Sequence, residues 1–247
     1  MENHGRRQGN PPRPGHAVPR QDALRDHTRG SHRPVARCDH VPMASFGPTV
    51  RRTSVAAVAA IIAFALFTVW WFVDGGTRLD TTMLRFTHWL LRGWLDVVIS
   101  ATWPLGEPQL GLVVVAIIAT LLAVRKRYRA AALVAGGFLL LTAVEVAILV
   151  TLAEIRHISL GVDALVHLYP SGHTSRVPFL GTAIAVALTR RGRGWILVIT
   201  AVLAIAVALD RTDSTIQTGS AVIGGLLMGV AASLCFAAVF EAWEARH

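Results

Sequence analysis

The sequence YPSGHTSR, residues 169–176, lies between two long apolar runs and carries more reactive chemistry than a simple turn requires. Ser171 and Gly172 can present backbone N–H groups to an anion, because glycine lets the backbone come close. His173 can give or take a proton near neutral pH, and Arg176 can pair with a phosphate. The helix that follows would direct its N-terminal dipole at the same place. The stretch is therefore either an anion-binding site or a polar turn between helices.

The composition around this stretch indicates an integral membrane protein. Of the 247 residues, 53% are hydrophobic and 16% are charged, whereas a soluble domain carries about 25% charged residues. The apolar residues are concentrated in runs, which is typical of membrane-spanning helices. The six predicted spans are residues 55–73, 110–124, 130–153, 174–188, 195–209 and 221–243.

Residues 77–103, between the first two spans, have a mixed character that suggests the membrane surface. Apolar residues lie close to helical spacing, arginines and a histidine are interspersed, and Trp89, Trp94 and Trp103 could lie at the depth of the lipid headgroups. We therefore predict an all-α fold, an integral membrane bundle of six transmembrane helices with a short interfacial helix. Glu145 lies inside the third span, so it should face the bundle rather than lipid.

The N-terminal residues differ in composition from the rest of the chain. Residues 1–52 are rich in Arg, Pro, Gly and His and are predicted to be a disordered basic tail, because they cannot bury enough apolar area to offset the entropy of ordering. The membrane domain would then comprise residues 53–247. Two further interpretations are a basic arm for anionic lipid or a partner, and a start at Met43 with residues 1–42 untranslated.

The net charge of +9 follows membrane topology rather than nucleic-acid recognition. The arginines gather in the tail and in the short loops 125–129 and 190–193, and aromatic and basic residues do not alternate as on a base-binding surface. The positive-inside rule places both termini in the cytoplasm and the polar loops 154–173 and 210–220 together on the extracytoplasmic face of the cell membrane. The two cysteines lack metal-ligand spacing, so neither a metal nor a cofactor is predicted.

These features together resemble one family, the type 2 phosphatidic acid phosphatase and haloperoxidase superfamily, over about residues 55–243. The resemblance is carried by the six spans, by Pro-Ser-Gly-His on the outer face, and by a second polar loop before a glycine-rich last span. In that family a histidine of the third motif attacks phosphorus, an aspartate orients it, and the histidine of the second motif protonates the leaving group. The resemblance makes His173 the general acid. It assigns phosphate binding to Arg156, Ser171, Gly172, Arg176 and Arg211.

The third motif departs from the family pattern at the positions that matter most. Arg211 fits its arginine, but Asp210 stands at the serine, Gln217 at the attacking histidine and Ala221 at the aspartate. A glutamine amide nitrogen is not a nucleophile, because its lone pair is delocalised into the carbonyl. Asp213 is the candidate substitute, either as an attacking carboxylate or by positioning a water.

The sequence also departs from the family pattern in the first motif. Arg156 can serve as its arginine, but Leu149 then stands at its lysine and His157 at its proline. His157, like His167, is expected to be an interfacial histidine.

Three functional hypotheses follow. The first is a phosphatase-like membrane protein that binds a membrane lipid or isoprenoid phosphate or diphosphate on the outer face, weakly active or inactive because Gln217 replaces the nucleophile, and thus a pseudoenzyme. The second is an active lipid phosphate phosphohydrolase with a rearranged site. The third is a structural or partner-binding membrane protein in which the site is a relic. Whether the protein is an enzyme is left open by the residues, and no oligomeric state is predicted.

Overall fold

The computed structural model describes residues 48–155, 169–187 and 192–246, and all regular secondary structure in these ranges is helical. This confirms the predicted all-α class. A 3₁₀ turn spans Trp103–Gly106. The α-helices are α1 (Pro48–Asp74), α2 (Thr77–Leu90), α3 (Trp94–Ser100), α4 (Pro108–Val124), α5 (Tyr128–Ile155), α6 (Gly172–Ala187), α7 (Arg193–Asp213) and α8 (Gly219–Glu244).

Several of these helices can cross a membrane. Among the described residues, α1, α5, α7 and α8 are each long and apolar enough to do so. A fifth span results if Trp94–Gly106 and Pro108–Val124, which meet at a bend of 64°, are counted as one broken span. The protein is therefore a multi-pass membrane protein, with four or five candidate spans in the described ranges against the six predicted from the sequence.

The bundle is organised around α6 and α8. Helix α6 packs against α4, α5, α7 and α8, and α8 also packs along α1. Glycines of α8 allow the close approach of α6, because a Cβ at Gly225 would lie 2.2 Å from the Ser171 carbonyl oxygen and one at Gly229 would lie 2.4 Å from that of Ser175. The glycine-rich last span thus has the packing role that its sequence suggests.

The segment between the first two predicted spans is more broken than predicted. Instead of one short interfacial helix, residues 77–103 form α2, α3 and the start of the 3₁₀ turn. The break between α2 and α3 contains Gly93 at φ 75°, a backbone conformation that glycine adopts without strain. Asp80 of α2 is tied to the start of α8, because its Oδ1 accepts a hydrogen bond from the Ser220 N–H at 2.7 Å.

The N-terminal boundary also differs from the prediction. Helix α1 begins at Pro48, so residues 48–52, including Arg51 and Arg52, belong to the first helix rather than to the predicted tail. The rest of the predicted tail lies outside the described residues.

Candidate functional site

Tyr169, the first residue of the YPSGHTSR stretch, packs against α1. Tyr169 is buried, and its ring stacks on that of Trp71 with 4.4 Å between the ring centroids. Its hydroxyl is hydrogen-bonded to the Thr68 hydroxyl at 2.7 Å. Burial raises the pKa of Tyr169 to about 12, so the phenol stays neutral and acts as an anchor rather than as an acid. This contact fixes where the following residues enter the bundle.

Ser171 joins the two polar loops that the sequence places on one side of the membrane. Its backbone N–H donates to the carbonyl oxygen of Ala221 at 2.9 Å, and its hydroxyl donates to Oε1 of Gln217. The same hydroxyl accepts from the Thr174 N–H at 3.4 Å, which is the geometry of a cap on the first turn of α6. The N–H and hydroxyl of Ser171 are therefore already engaged within the protein.

Gln217 lies at the centre of this junction. Its side chain is buried at 6% exposure and accepts from the Ser171 hydroxyl. Its backbone N–H donates to the carbonyl oxygen of Arg211 at 3.1 Å, which folds the loop back on the end of α7. A neutral amide thus stands at the position where the family resemblance predicts the attacking imidazole.

Arg176 is buried and tied to neighbouring elements. Its Nη2 donates to Oε2 of Glu145 at 2.6 Å, and its Nη1 donates to the carbonyl oxygen of Gly106 at 3.1 Å. The Ser175 hydroxyl donates to the other oxygen of Glu145. Glu145 faces the bundle as predicted, with 5% exposure. The phosphate contact predicted for Arg176 would require this ion pair to open.

Gly172, the first residue of α6, leaves room for the ion pair between Arg176 and Glu145. A Cβ at this position would lie 2.7 Å from Nη2 of Arg176 and 3.0 Å from Oε2 of Glu145. The glycine therefore leaves the space that the buried arginine and carboxylate occupy.

His173 has a carboxylate partner that sequence reasoning missed. Its Nε2 lies 3.2 Å from Oε1 of Glu107, at the start of α4, and both side chains are less than a third exposed. His173 precedes the predicted fourth span. Burial lowers its pKa, and the charges of Arg211 and Arg176 lower it further, whereas the hydrogen bond and charge of Glu107 raise it.

Gly106 explains how Glu107 reaches His173. A Cβ at Gly106 would lie 2.7 Å from the Cα of His173, so only a glycine allows the 3₁₀ turn to lie against the start of α6. The sequence signal was a glycine beside an acid after the Trp103-Pro104 turn. That signal alone does not reveal a partner 66 residues further along the chain.

Arg211 is buried at 5% exposure at the end of α7. Its guanidinium carbon lies 5.3 Å from the centre of the Trp103 ring, and its Nε is 3.5 Å from Oδ2 of Asp210. Asp210 and Arg211 thus form an ion pair between neighbouring residues of the chain. The Nε of Arg211, like that of Arg176, has no hydrogen-bond partner among the described residues. Arg211 is less fully engaged because its ion pair is 3.5 Å long, whereas Arg176 has an ion pair of 2.6 Å and a second hydrogen bond to a backbone carbonyl.

The other predicted residues lie elsewhere or outside the described ranges. Oδ1 of Asp213, the candidate substitute nucleophile, is 3.6 Å from Nε2 of His88 on α2. Arg156, His157 and His167 lie outside the described residues. Within the described ranges, no three His, Cys, Asp or Glu side chains group as metal ligands would.

An apolar cavity of about 230 Å³ has lining residues that are close in sequence to the polar residues of the site. At one end it is lined by Leu105, next to Gly106, and by Val177, one helical turn after His173. It continues between α4, α6 and α7, where it is lined by Leu180, Ile199 and Leu203, among others. A hydrocarbon chain could therefore leave the polar cluster along an apolar path.

The arrangement of helices is similar to that of a solved transmembrane protein. The fold is similar to the crystal structure described as the first transmembrane PAP2 type phosphatidylglycerolphosphate phosphatase, from Bacillus subtilis. The TM-score is 0.57 at 16% sequence identity, and the match covers 77% of this chain and 96% of that chain. No protein-family model and no curated protein matches the sequence. At this identity the likeness establishes the fold.

Proposed function

We propose that this protein binds the phosphate or diphosphate of a membrane lipid or isoprenoid on the outer face of the cell membrane, with weak or no hydrolysis. The observation that carries the proposal is the Ser171–Gln217 hydrogen bond. It joins the two polar loops, and it involves an amide where the resemblance predicts the attacking imidazole. Without a covalent nucleophile, the rate of such a reaction falls by several orders of magnitude.

The charge of the site supports anion binding. Arg211 is buried, its Nε lacks a hydrogen-bond partner among the described residues, and its charge acts on His173. A buried N–H donor without a partner gains free energy when an acceptor arrives. An incoming phosphate would supply that acceptor, and its negative charge would be stabilised by the guanidinium in this poorly solvated place.

The apolar cavity supports a lipid rather than a free phosphate as the ligand. A chain lying along Val177, Leu180 and Leu203 would bury apolar surface while its headgroup lies near His173. Each buried methylene contributes about 0.8 kcal/mol, so the chain length of the ligand should affect its affinity. The structurally similar protein is named a phosphatidylglycerolphosphate phosphatase, and that name also refers to a lipid phosphate.

The proposed topology has six spans, within α1, α4, α5, α6, α7 and α8, with both termini in the cytoplasm, and the span within α6 begins after His173. Helices α4 and α6 have 17 and 16 residues, which is close to the length that crosses the hydrocarbon. Single cysteines test this arrangement after Cys38 and Cys235 are replaced by serine. Ser214→Cys should react with an impermeant maleimide added to intact cells, whereas Arg125→Cys should react only after lysis. The reverse pattern would contradict the proposed orientation.

Ligand binding can be measured on the full chain in lipid nanodiscs with dioctanoyl phosphatidic acid as the probe. We expect saturable binding that Arg211→Gln weakens about 10- to 100-fold, because a charge-assisted hydrogen bond contributes about 1.5–3 kcal/mol. Arg78→Gln, at an exposed arginine of α2, is the matched control and should leave binding unchanged. Glycerol phosphate should bind more weakly than the lipid. No binding of either probe by the wild type would favour the relic-site hypothesis.

Phosphate release by the same preparation separates the inactive from the active hypothesis. The wild type should release little or none, and Gln217→His should increase the release, since it restores an imidazole beside Ser171. Ala221→Asp is less suitable for this test, because Ala221 is fully buried in an apolar cluster with Trp71, Leu152 and Tyr169 and a carboxylate there would lose its solvation. Robust release by the wild type, abolished by His173→Ala, would contradict the inactive hypothesis.

A further inference from the structure

We infer that Glu107 is a positioning residue for His173 and sets the charge state of the imidazole in the proposed phosphate site. The contact between the two side chains stands on geometry alone. Its consequence for ligand binding rests on the proposed function.

The carboxylate of Glu107 is directed to His173 instead of to its own helix. Glu107 occupies the position that precedes α4, with an extended backbone, and its side chain makes no hydrogen bond to the first turn of that helix. Glutamate at such a position could cap its helix, and Pro108 at the first helical position removes one of the N–H groups to be capped. The side chain is therefore available for Nε2 of His173, 3.2 Å away.

The peptide before Glu107 is held from two sides, which fixes this contact. The Gly106 carbonyl oxygen accepts from Nη1 of Arg176, and Arg176 is itself held by Glu145. The Cα of Gly106 also lies so close to the backbone of His173 that a side chain would not fit. Helices α5 and α6 thus set the place of the turn, and the turn sets the place of the Glu107 carboxylate.

The partner on Nε2 determines what the imidazole can do. An ionised carboxylate only accepts hydrogen bonds, so Nε2 must carry the hydrogen. In the neutral ring the lone pair is then on Nδ1. Three charged groups act on the ring: Glu107 favours the imidazolium, whereas Arg211 and Arg176 disfavour it. A bound phosphate would offset the charge of Arg211, so ligand binding and protonation of His173 should favour each other.

The first test is ¹⁵N NMR of histidine-labelled full chain in nanodiscs without ligand, with His173→Ala used to assign the signal. In the wild type at neutral pH we expect the tautomer with hydrogen on Nε2. Glu107→Gln should lower the pKa of His173, since it removes the negative charge that favours the imidazolium. Glu107→Asp keeps the charge and should lower it less. Asp74→Asn, at an exposed carboxylate at the end of α1, is the control and should change nothing.

The result that overturns the inference is an unchanged pKa and tautomer of His173 in Glu107→Gln. An Nδ1–H tautomer in the wild type overturns it as well, and that measurement needs no variant that must fold.

The second test compares the pH dependence of dioctanoyl phosphatidic acid binding. The wild type should retain tight binding to higher pH than Glu107→Gln, and titration of the ligand itself is common to both proteins. If the two pH profiles coincide, the inferred coupling is wrong. If the wild type does not bind the probe at all, the proposed function is wrong, and the positioning role is decided by the NMR result alone.

Discussion

Two buried arginines in this protein, both expected from the sequence to bind phosphate, have different surroundings. Arg176 donates to Glu145 at 2.6 Å and to the Gly106 carbonyl oxygen at 3.1 Å. Arg211 lies over an aromatic ring, and its Nε is 3.5 Å from the nearest carboxylate oxygen of Asp210 without a hydrogen bond. We call Arg176 with Glu145 and Gly106 the closed region, and Arg211 with Asp210 and Trp103 the open region.

The difference shows how one helical bundle can contain an arginine with a structural role and another arginine that is available to bind an anion. In the closed region Glu145 neutralises the charge of Arg176 and accepts a hydrogen bond from its Nη2, so an anion would have to displace Glu145. In the open region the contact between Arg211 and its carboxylate partner is 3.5 Å long, and the neighbouring imidazole of His173 can change its charge. The Nε lacks a hydrogen-bond partner in both arginines, so the difference lies in the other donors of the guanidinium. Residue type alone therefore does not identify an anion site, because what counts is whether the donors are already used.

The largest effect should come from breaking the closed region with Glu145→Gln. Removing one partner of a buried ion pair leaves the other charge uncompensated, which costs about 3–5 kcal/mol. The free energy of unfolding of the full chain can be measured in mixed micelles with increasing sodium dodecyl sulfate. Glu154→Gln, at an exposed glutamate of the same helix, should have no effect. If Glu145→Gln lowers the free energy of unfolding by no more than the experimental error, the ion pair does not stabilise the closed region.

A smaller effect is expected from Gly106→Ala, which acts on the link between the two regions. The added Cβ would lie 2.7 Å from the Cα of His173, so the turn must move away from α6, at a cost of about 1–3 kcal/mol. The carbonyl oxygen held by Arg176 and the carboxylate held against His173 would both move with it.

The matched control for this substitution is Gly136→Ala in α5, where nothing lies within 4 Å of an added Cβ. There alanine should stabilise by about 0.5–1 kcal/mol, as expected in a helix interior. Equal effects of the two substitutions would contradict the close approach at Gly106. The same micelle unfolding experiment measures both variants.

Much of the fold, but little of the open region, could be predicted from the sequence. Apolar runs indicate membrane helices directly, since every backbone polar group in lipid must be satisfied within the helix, and an acid inside such a run, Glu145, must face the bundle. The break near Gly93 was missed because the amphipathic spacing continues across it. The place of α4 and α6 among the spans remains a proposal because their described lengths are short.

The partners within the site depend on tertiary packing, which no spacing rule captures. Glu107 and His173 are 66 residues apart and meet only because Gly106 lets a turn lie against a helix. Arg176 is 31 residues from Glu145, so the sequence showed that both are unusual in a membrane helix without pairing them. The family resemblance predicted where the phosphate site should be, but Glu107 lies outside the motifs on which that prediction rested.

The smallest effect is expected from Asp210→Asn, which is the counterpart in the open region of Glu145→Gln. The substitution removes the attraction between Asp210 and Arg211, but no hydrogen bond to Nε of Arg211 is lost and the repulsion from Asp96 and Asp213 is relieved. An asparagine oxygen can still accept the hydrogen bond that Ser100 donates to Asp210. We therefore expect a loss of about 1 kcal/mol or less in the free energy of unfolding. Binding of dioctanoyl phosphatidic acid should become tighter by about 3- to 10-fold, up to 1.4 kcal/mol, because the carboxylate no longer competes for Arg211. If Asp210→Asn instead destabilises the protein as much as Glu145→Gln and leaves binding unchanged, both arginines are structural and the distinction between the closed and open regions is wrong.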